Sequence, residues 1–168
     1  DPRMNTKGQT GLMLADLLKA ETIELNLKGN DRDSVLKELI GRIPALHDNP
    51  DARATLLKAL QEREQLHSTG IGDGIALPHA RNALVGLVND PVIVFGRHAT
   101  GVPYGAIDNK PTRLFFLLVA TNVSQHLQIL ARISRVLRDL KLRQGLLLAE
   151  KPVKAIELFT EAEKAFLS

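Results

Sequence analysis

The chain has 168 residues, five of them histidine and none cysteine. Without thiols there is no disulfide, no zinc-finger or iron–sulfur ligand set and no sulfur nucleophile. Imidazole remains as a side chain that can attack phosphorus or carry a proton near neutral pH. His79 has the setting for that work. It follows Pro78 at the end of the run Ser68-Thr69-Gly70-Ile71-Gly72-Asp73-Gly74-Ile75-Ala76-Leu77. Proline fixes its own φ and biases Leu77 towards extended backbone, so His79 is read on an irregular stretch. Backbone can then hold one ring nitrogen while the other faces solvent, as a phosphoryl-accepting imidazole needs. A loop histidine without chemistry is the alternative.

The glycine cluster Gly70-Ile71-Gly72-Asp73-Gly74 is neither a Walker A loop nor a dinucleotide G-x-G-x-x-G. Its N–H groups could converge on an anion, or it could be a tight connection between helix and strand. His126 shares a helical face with Leu130, Ile133 and Leu137, which places it on a buried side in the first turn of a helix. The positive helix end disfavours a second positive charge there, so a neutral imidazole is expected. A core histidine with satisfied hydrogen bonds is the plainer reading. Arg63, in the last turn of the preceding helix, lies five residues before Ser68 and could reach an anion held at that loop. His47, His67 and His98 read as surface residues. The spacing of His79 and His126 is no metal signature, so no metal is expected.

The elements that must position these residues alternate in kind. Leu12 to Lys19 reads as a short helix and Ile23–Leu27 as a strand. Asp31 or Asp33 caps a helix over Ser34–Ile43, with Val35, Leu36, Leu39 and Ile43 inward. A long helix follows over Asp51–Leu66, with Ala54, Leu57, Leu60 and Ala59 inward. Ile75–Leu77, Val92–Gly96 and Arg113–Ala120 read as strands, and Tyr104–Pro111 as turns. A third helix over about Ser124–Lys141 carries Leu127, Leu130, Ile133, Leu137 and Leu140. Shorter helices follow over Arg143–Ala149 and Pro152–Phe166, with Pro152 in a first turn. The sum is one layered α/β domain from residue 12 to 168, helices covering a mixed sheet. Residues 1–11 read as a tail, or as a scar of excision from a larger protein.

Composition excludes several classes. Hydrophobic residues at 44% and charged ones at 24% are globular values, so wholesale disorder is excluded. Aromatics at 4%, without Trp, offer no stacking platform for single-stranded nucleic acid. A net charge of +3 is too small to argue for a nucleic-acid partner. Residues 1–80 carry 10 basic and 12 acidic side chains, the rest 12 and 7. The second half therefore meets an acidic partner or simply presents a solvated basic face. No apolar run reaches the roughly 18–20 residues of a membrane span, and no signal peptide is visible. The lack of cysteine fits a reducing cytoplasm.

Taken together, Arg63-Glu64 and the run from Ser68 to Arg81 closely resemble the phosphorylation-site signature of the fructose/mannitol-type enzyme IIA domains. These belong to the bacterial phosphoenolpyruvate-dependent phosphotransferase system and include nitrogen-regulatory members. The resemblance continues through Ala106-Ile107-Asp108-Asn109-Lys110-Pro111, Leu114–Val119 and His126–Ala131, and covers about Leu12 to Phe166.

The resemblance implies an α/β sandwich with a mixed central sheet and helices on both sides. It implies that His79 carries the phosphoryl group through Nε2, that His126 is the second histidine beside it, and that Arg63 lies near the site. Ser68, Thr69 and the N–H of Gly70 would donate to phosphoryl oxygens. The implied donor is the histidine-containing phosphocarrier protein. The implied acceptor is a cysteine of an enzyme IIB domain or, in regulatory members, a protein whose binding is controlled. No cofactor, nucleic acid or membrane insertion is implied. Ile71, Ala76 and Leu77 are candidates for the centre of the docking surface, with Leu77 alternatively pointing into the core, and Arg81 would lie at its rim. Two departures stand out. The proline usual at the position of Ala120 or Thr121 is absent, and Asp73 brings a negative charge towards an incoming phosphoryl group. A regulatory binding module and a degenerate, unphosphorylated domain are the alternatives to a sugar-system carrier.

Overall fold

The computed structural model describes residues 13–80 and 86–167. The expected tail at 1–11 and the rim residue Arg81 lie outside them. Helices α1 (Leu14–Leu17), α2 (Arg32–Ile40) and α3 (Pro50–Leu66) come first, with strand β1 (Ile23–Glu24) after α1. Strands β2 (Gly70–Gly72), β3 (Ile75–Ala76), β4 (Val92–Val102) and β5 (Thr112–Val119) follow, then α4 (Val123–Val136), α5 (Leu140–Leu148) and α6 (Pro152–Leu167). The strands form one mixed sheet in the order β1-β4-β5-β3-β2, parallel at β1/β4 and β3/β5 and antiparallel elsewhere.

Strand β5 shows why this is a sandwich. It is buried along nearly its whole length, and successive side chains point to opposite faces. Leu114, Phe116 and Leu118 join a core with Ile129 and Ile133 of α4, Leu142 and Leu146 of α5 and Phe159 of α6. Phe115, Leu117 and Val119 join a second core with Val35, Leu36 and Leu39 of α2 and Leu56 and Leu60 of α3. A sheet covered on both faces reads as a continuous apolar run, which is how β5 reads. Gly96 in β4 admits the second layer closely. A Cβ there would stand 2.6 Å from Leu39 Cδ2 and 2.8 Å from Leu27 Cδ1. Arg97 fastens the other layer, donating to the carbonyls of Leu146, Leu147 and Ala149 at the end of α5 and to that of Leu25.

The structure moves several expected elements. The first strand shrinks to Ile23–Glu24, although Leu25 and Leu27 stay buried and the Leu27 N–H reaches the Arg97 carbonyl at 2.9 Å. Asp31 is the cap of α2, accepting from the Ser34 N–H. The inward row of α3 is Ala52, Leu56, Leu60 and Glu64, and Ala54 is exposed. The long third helix ends at Val136, and Asp139 caps a separate α5 by accepting from the N–H groups of Lys141 and Leu142. Leu127 is exposed because it lies off the buried stripe of α4, His126, Ile129, Ile133 and Val136, and Leu140 is exposed as the first residue of the separate α5. His98 is buried within β4, its Nδ1 accepting from the N–H groups of Thr100 and Gly101, which corrects its reading as a surface residue.

Candidate active site

The glycine cluster folds into a hairpin. Strands β2 and β3 are joined by Asp73 at φ 55° and Gly74 at φ 77°. Two successive residues in the left-handed region make the two-residue turn for which Asp-Gly is favoured. Strand β3 then runs beside β5 and leads into Pro78, whose carbonyl accepts from the Leu118 N–H at 3.0 Å. That bond holds the chain against β5 just before His79.

His79 is half-buried, and its Nδ1 lies 2.6 Å from the Leu77 carbonyl. A carbonyl only accepts, so Nδ1 carries the proton and Nε2 keeps its lone pair. The ring of His126 stands 5.5 Å away, centroid to centroid, tilted by 50°. His126 is buried in the first turn of α4, as its helical position requires. Asn122 caps that helix by accepting from the Gln125 N–H, and Gln125 Oε1 accepts from both the N–H and the hydroxyl of Thr121. A proline at 121 would have no N–H to give to Gln125.

Both imidazoles are biased towards the neutral form. Burial pushes the pKa of His79 below its ordinary value, the Leu77 carbonyl opposes this, and the positive charge of Arg63 adds to the lowering. Burial also lowers His126, with His79 as the second cause. A neutral ring is the nucleophilic form. Arg63, at the end of α3, is close enough for its charge to act on His79, and its Nη1 donates to the His67 carbonyl at 2.6 Å. Among the described residues the other guanidinium N–H groups have no partner, and such groups can meet an anion.

The three donors expected beside the loop face inward instead. The N–H and hydroxyl of Thr69 both donate to the carboxylate of Glu64. The Gly70 N–H donates to Ser68 Oγ at 3.0 Å, and the Ser68 hydroxyl donates to the Tyr104 carbonyl at 2.5 Å. Here Ser68, Thr69 and Gly70 direct these donors to groups within the protein, as the hairpin uses its own polar groups. Ala76 and Leu77 are buried, one in each core, and cannot meet a partner, whereas Ile71 is half exposed. Asp73 is largely exposed and lies 3.3 Å from Nη1 of Arg143, which offsets its charge.

Sequence reasoning assigned no role to Glu64 and Tyr104. Glu64 is buried and accepts from Thr69 and, at 3.1 Å, from the Tyr104 hydroxyl. Burial and the Glu64 carboxylate push Tyr104 far up, so it stays a donor. The available signal was the spacing of Glu64 four residues beyond Leu60, on the buried row. Ile107, Val123 and Leu127, exposed beside the hairpin or flanking His126, were also overlooked as a surface.

Residues 16–162 match the family described as "Phosphoenolpyruvate-dependent sugar phosphotransferase system, EIIA 2". The chain is 35% identical over 155 residues to the "PTS system fructose-specific EIIABC component" of Bacillus subtilis, covering 91% of this chain and 24% of that protein. It thus spans about a quarter of that relative's length. The nitrogen regulatory protein IIA-Ntr of Neisseria meningitidis has the same fold, with a TM-score of 0.75 at 25% identity over 86% of this chain and 97% of that one. So does the mannitol enzyme IIA of Escherichia coli, solved in complex with phosphorylated enzyme IIB, with a TM-score of 0.72 at 22% identity over 86% of this chain and 97% of that one. The family match takes in α3, the hairpin, both histidines and the sheet between the two cores. The chain therefore belongs to the EIIA 2 family of the phosphoenolpyruvate-dependent sugar phosphotransferase system, the phosphoryl carriers of that system.

Proposed function

We propose that the chain is a cytoplasmic phosphoryl carrier and that Nε2 of His79 holds the phosphoryl group. The observation that carries this reading is the Nδ1–H to Leu77 carbonyl bond, which leaves Nε2 as the nucleophile. In the transfer the Nε2 lone pair forms the new P–N bond in line as the donor imidazole's P–N bond breaks. No proton need move, because the donor ring leaves with the electron pair of its own bond. The ring of His79 gains positive character, which the Leu77 carbonyl accepting from Nδ1–H stabilises. In this reading Arg63 and His126 meet the phosphoryl oxygens, and histidine-to-histidine exchange asks for little more than positioning and charge stabilisation.

The donor in this reading is the histidine-containing phosphocarrier protein, and the acceptor is a IIB cysteine. The mannitol relative solved with phosphorylated IIB supports the second partner. Ile71, Ile107, Val123 and Leu127 supply exposed apolar surface for docking, with Arg81 proposed at the rim. Such an interface should be small, about 1,200 Å² or less, since exchange must be quick. A regulatory use of the same site is the second reading, favoured by the likeness to IIA-Ntr. A phosphoryl group brings up to about two negative charges, enough to make or break a protein interface.

Incubation with phosphoenolpyruvate, enzyme I and the phosphocarrier, followed by intact mass, tests the proposal. One acid-labile, base-stable phosphoryl group is expected in the wild type and none in His79→Ala. Label that persists in the variant removes His79 from the role.

A further inference from the structure

The buried carboxylate of Glu64 has no part in the chemistry proposed above, yet it begins an unbroken line of hydrogen bonds to His79. Glu64 accepts the Thr69 N–H at 2.8 Å and the Thr69 hydroxyl. The Thr69 carbonyl accepts the Leu77 N–H at 3.0 Å. The Leu77 carbonyl accepts Nδ1–H of His79 at 2.6 Å. The Tyr104 hydroxyl donates to the same carboxylate at 3.1 Å, and the Tyr104 carbonyl accepts from Ser68. We infer that Glu64 is a positioning residue that sets the orientation and tautomer of His79 through Thr69 and Leu77. The inference rests on His79 being the phosphoryl acceptor.

The physical argument has two parts. First, β2 is the edge strand of the sheet and has three residues, and its only neighbour among the described strands, β3, has two, so the pairing of the hairpin is weakly specified by itself. The register is uneven as well, with Gly70 opposite Ala76 but Gly72 opposite Ile75. A carboxylate that takes both donors of Thr69 pins this hairpin to the last turn of α3, and so fixes where the Leu77 peptide plane points. Second, an imidazole with no fixed acceptor at Nδ1 divides its proton between its two nitrogens. In the Nε2–H tautomer the attacking lone pair is blocked. Charge-assisted bonds in a buried site are strong enough to hold such an arrangement. Glu64 is 5% exposed, so water does not compete for it.

The tautomer can be read without any transfer. Long-range nitrogen–proton correlation spectra of the unphosphorylated chain should show His79 in a single Nδ1–H form. In Glu64→Ala the His79 signals should move towards a mixture of tautomers. The same variant should be phosphorylated roughly 10- to 100-fold more slowly at saturating phosphocarrier, with KM little changed. Glu64→Gln keeps an acceptor for the Thr69 N–H, and its amide can donate to the two hydroxyls, so it should restore both the tautomer and most of the rate. Should Glu64→Ala fail to fold, Thr69→Val removes only the hydroxyl and should shift the tautomer in the same direction. An unmoved His79 tautomer in a folded Glu64→Ala or in Thr69→Val, whatever the change in Tm, overturns the inference. A phosphoryl group found on another residue would instead overturn the role of His79 and leave the tautomer result to stand by itself.

Discussion

The two helical layers that flank the sheet hold the site by different physical means. On the side of α2 and α3 the contact is directional. Arg63 donates to the His67 carbonyl, and Glu64 gathers Thr69 and Tyr104. On the side of α4 the contact is apolar. Ile129 and Ile133, on the stripe that carries His126, are buried against Ile75, Leu77 and Phe116, and among the described residues the His126 ring makes no hydrogen bond. Hydrogen bonds specify angles, whereas burial specifies position and lowers the local dielectric. Accordingly, the first layer aims His79 and the second keeps His126 close and uncharged. Damage to the two layers should be distinguishable. The polar layer should lose rate before stability, and the apolar layer stability before rate.

Arg63→Ala gives the sharpest test after removal of His79 itself. Loss of a preorganised donor to a developing phosphoryl charge commonly costs about 10²- to 10³-fold in rate. The guanidinium is only half-buried, and among the described residues it bonds an exposed carbonyl, that of His67, so stability should change by no more than about 1 kcal/mol. Rapid-quench measurement of the first turnover reads the rate, and thermal melting reads the stability. A variant with wild-type turnover would place Arg63 outside the site.

Ile129→Ala probes the opposite layer. Ile129 is fully buried one turn beyond His126. Truncation should cost about 2–5 kcal/mol of stability, the usual range for a buried isoleucine. First-turnover rate in the protein that remains folded should be little changed, because the Leu77 carbonyl and Arg63 are untouched. If the rate falls as far as in Arg63→Ala, α4 shares in aiming His79, and the contrast between the layers is lost.

How much of this could be read in the sequence follows the same division. The sandwich was legible because burial leaves a periodic trace. The stripe carrying His126 and Ile133 and the apolar run of β5 each point to one arrangement. The Asp-Gly turn was visible as a glycine cluster, but not as a hairpin, since strands of three and two residues carry no pattern of their own. The polar layer was the least legible. Ser68, Thr69 and Gly70 were expected to face an anion, and the residue that takes both donors of Thr69 is a glutamate, a type usually assigned to the surface. Tyr104 lies 40 residues from Glu64 and comes from a turn-rich stretch, so no local signal joins them. His98 was misplaced for a related reason. Its two acceptor bonds arise at the irregular end of β4 around Gly101, at φ 99°.

The exposed apolar residues offer a smaller effect. Ile107 is 87% exposed, and its Cγ2 would lie 3.7 Å from a Cβ on Gly72, so it flanks the hairpin that precedes His79. Ile107→Asp should leave stability and first-turnover rate at saturation unchanged while raising KM for the phosphocarrier about fivefold, the effect of losing a contact of about 1 kcal/mol. A changed rate at saturating donor would mean that Ile107 acts on the site rather than on docking.

The smallest effect expected is on the pH dependence of stability, and it bears on whether burial keeps both rings uncharged. The ordinary histidine pKa is 6.5, and both His79 and His126 lie below it in the folded chain. Above that value both states hold neutral rings, and the pair adds no slope. As pH falls through 6.5 the unfolded chain takes up protons first, so the folded state loses stability. Once pH drops below the folded values the two states hold equal protons and the slope disappears. His79→Gln removes one titrating group and also the charge that helps to lower His126. Urea midpoints measured from pH 8 to pH 5 should therefore fall more steeply in the wild type than in His79→Gln below about pH 6.5, and run parallel above it. His47, His67 and His98 are present in both chains and cancel in the difference. Curves that stay parallel throughout would mean that His79 titrates alike folded and unfolded, and that the apolar layer does not keep the site dry enough to hold its rings neutral.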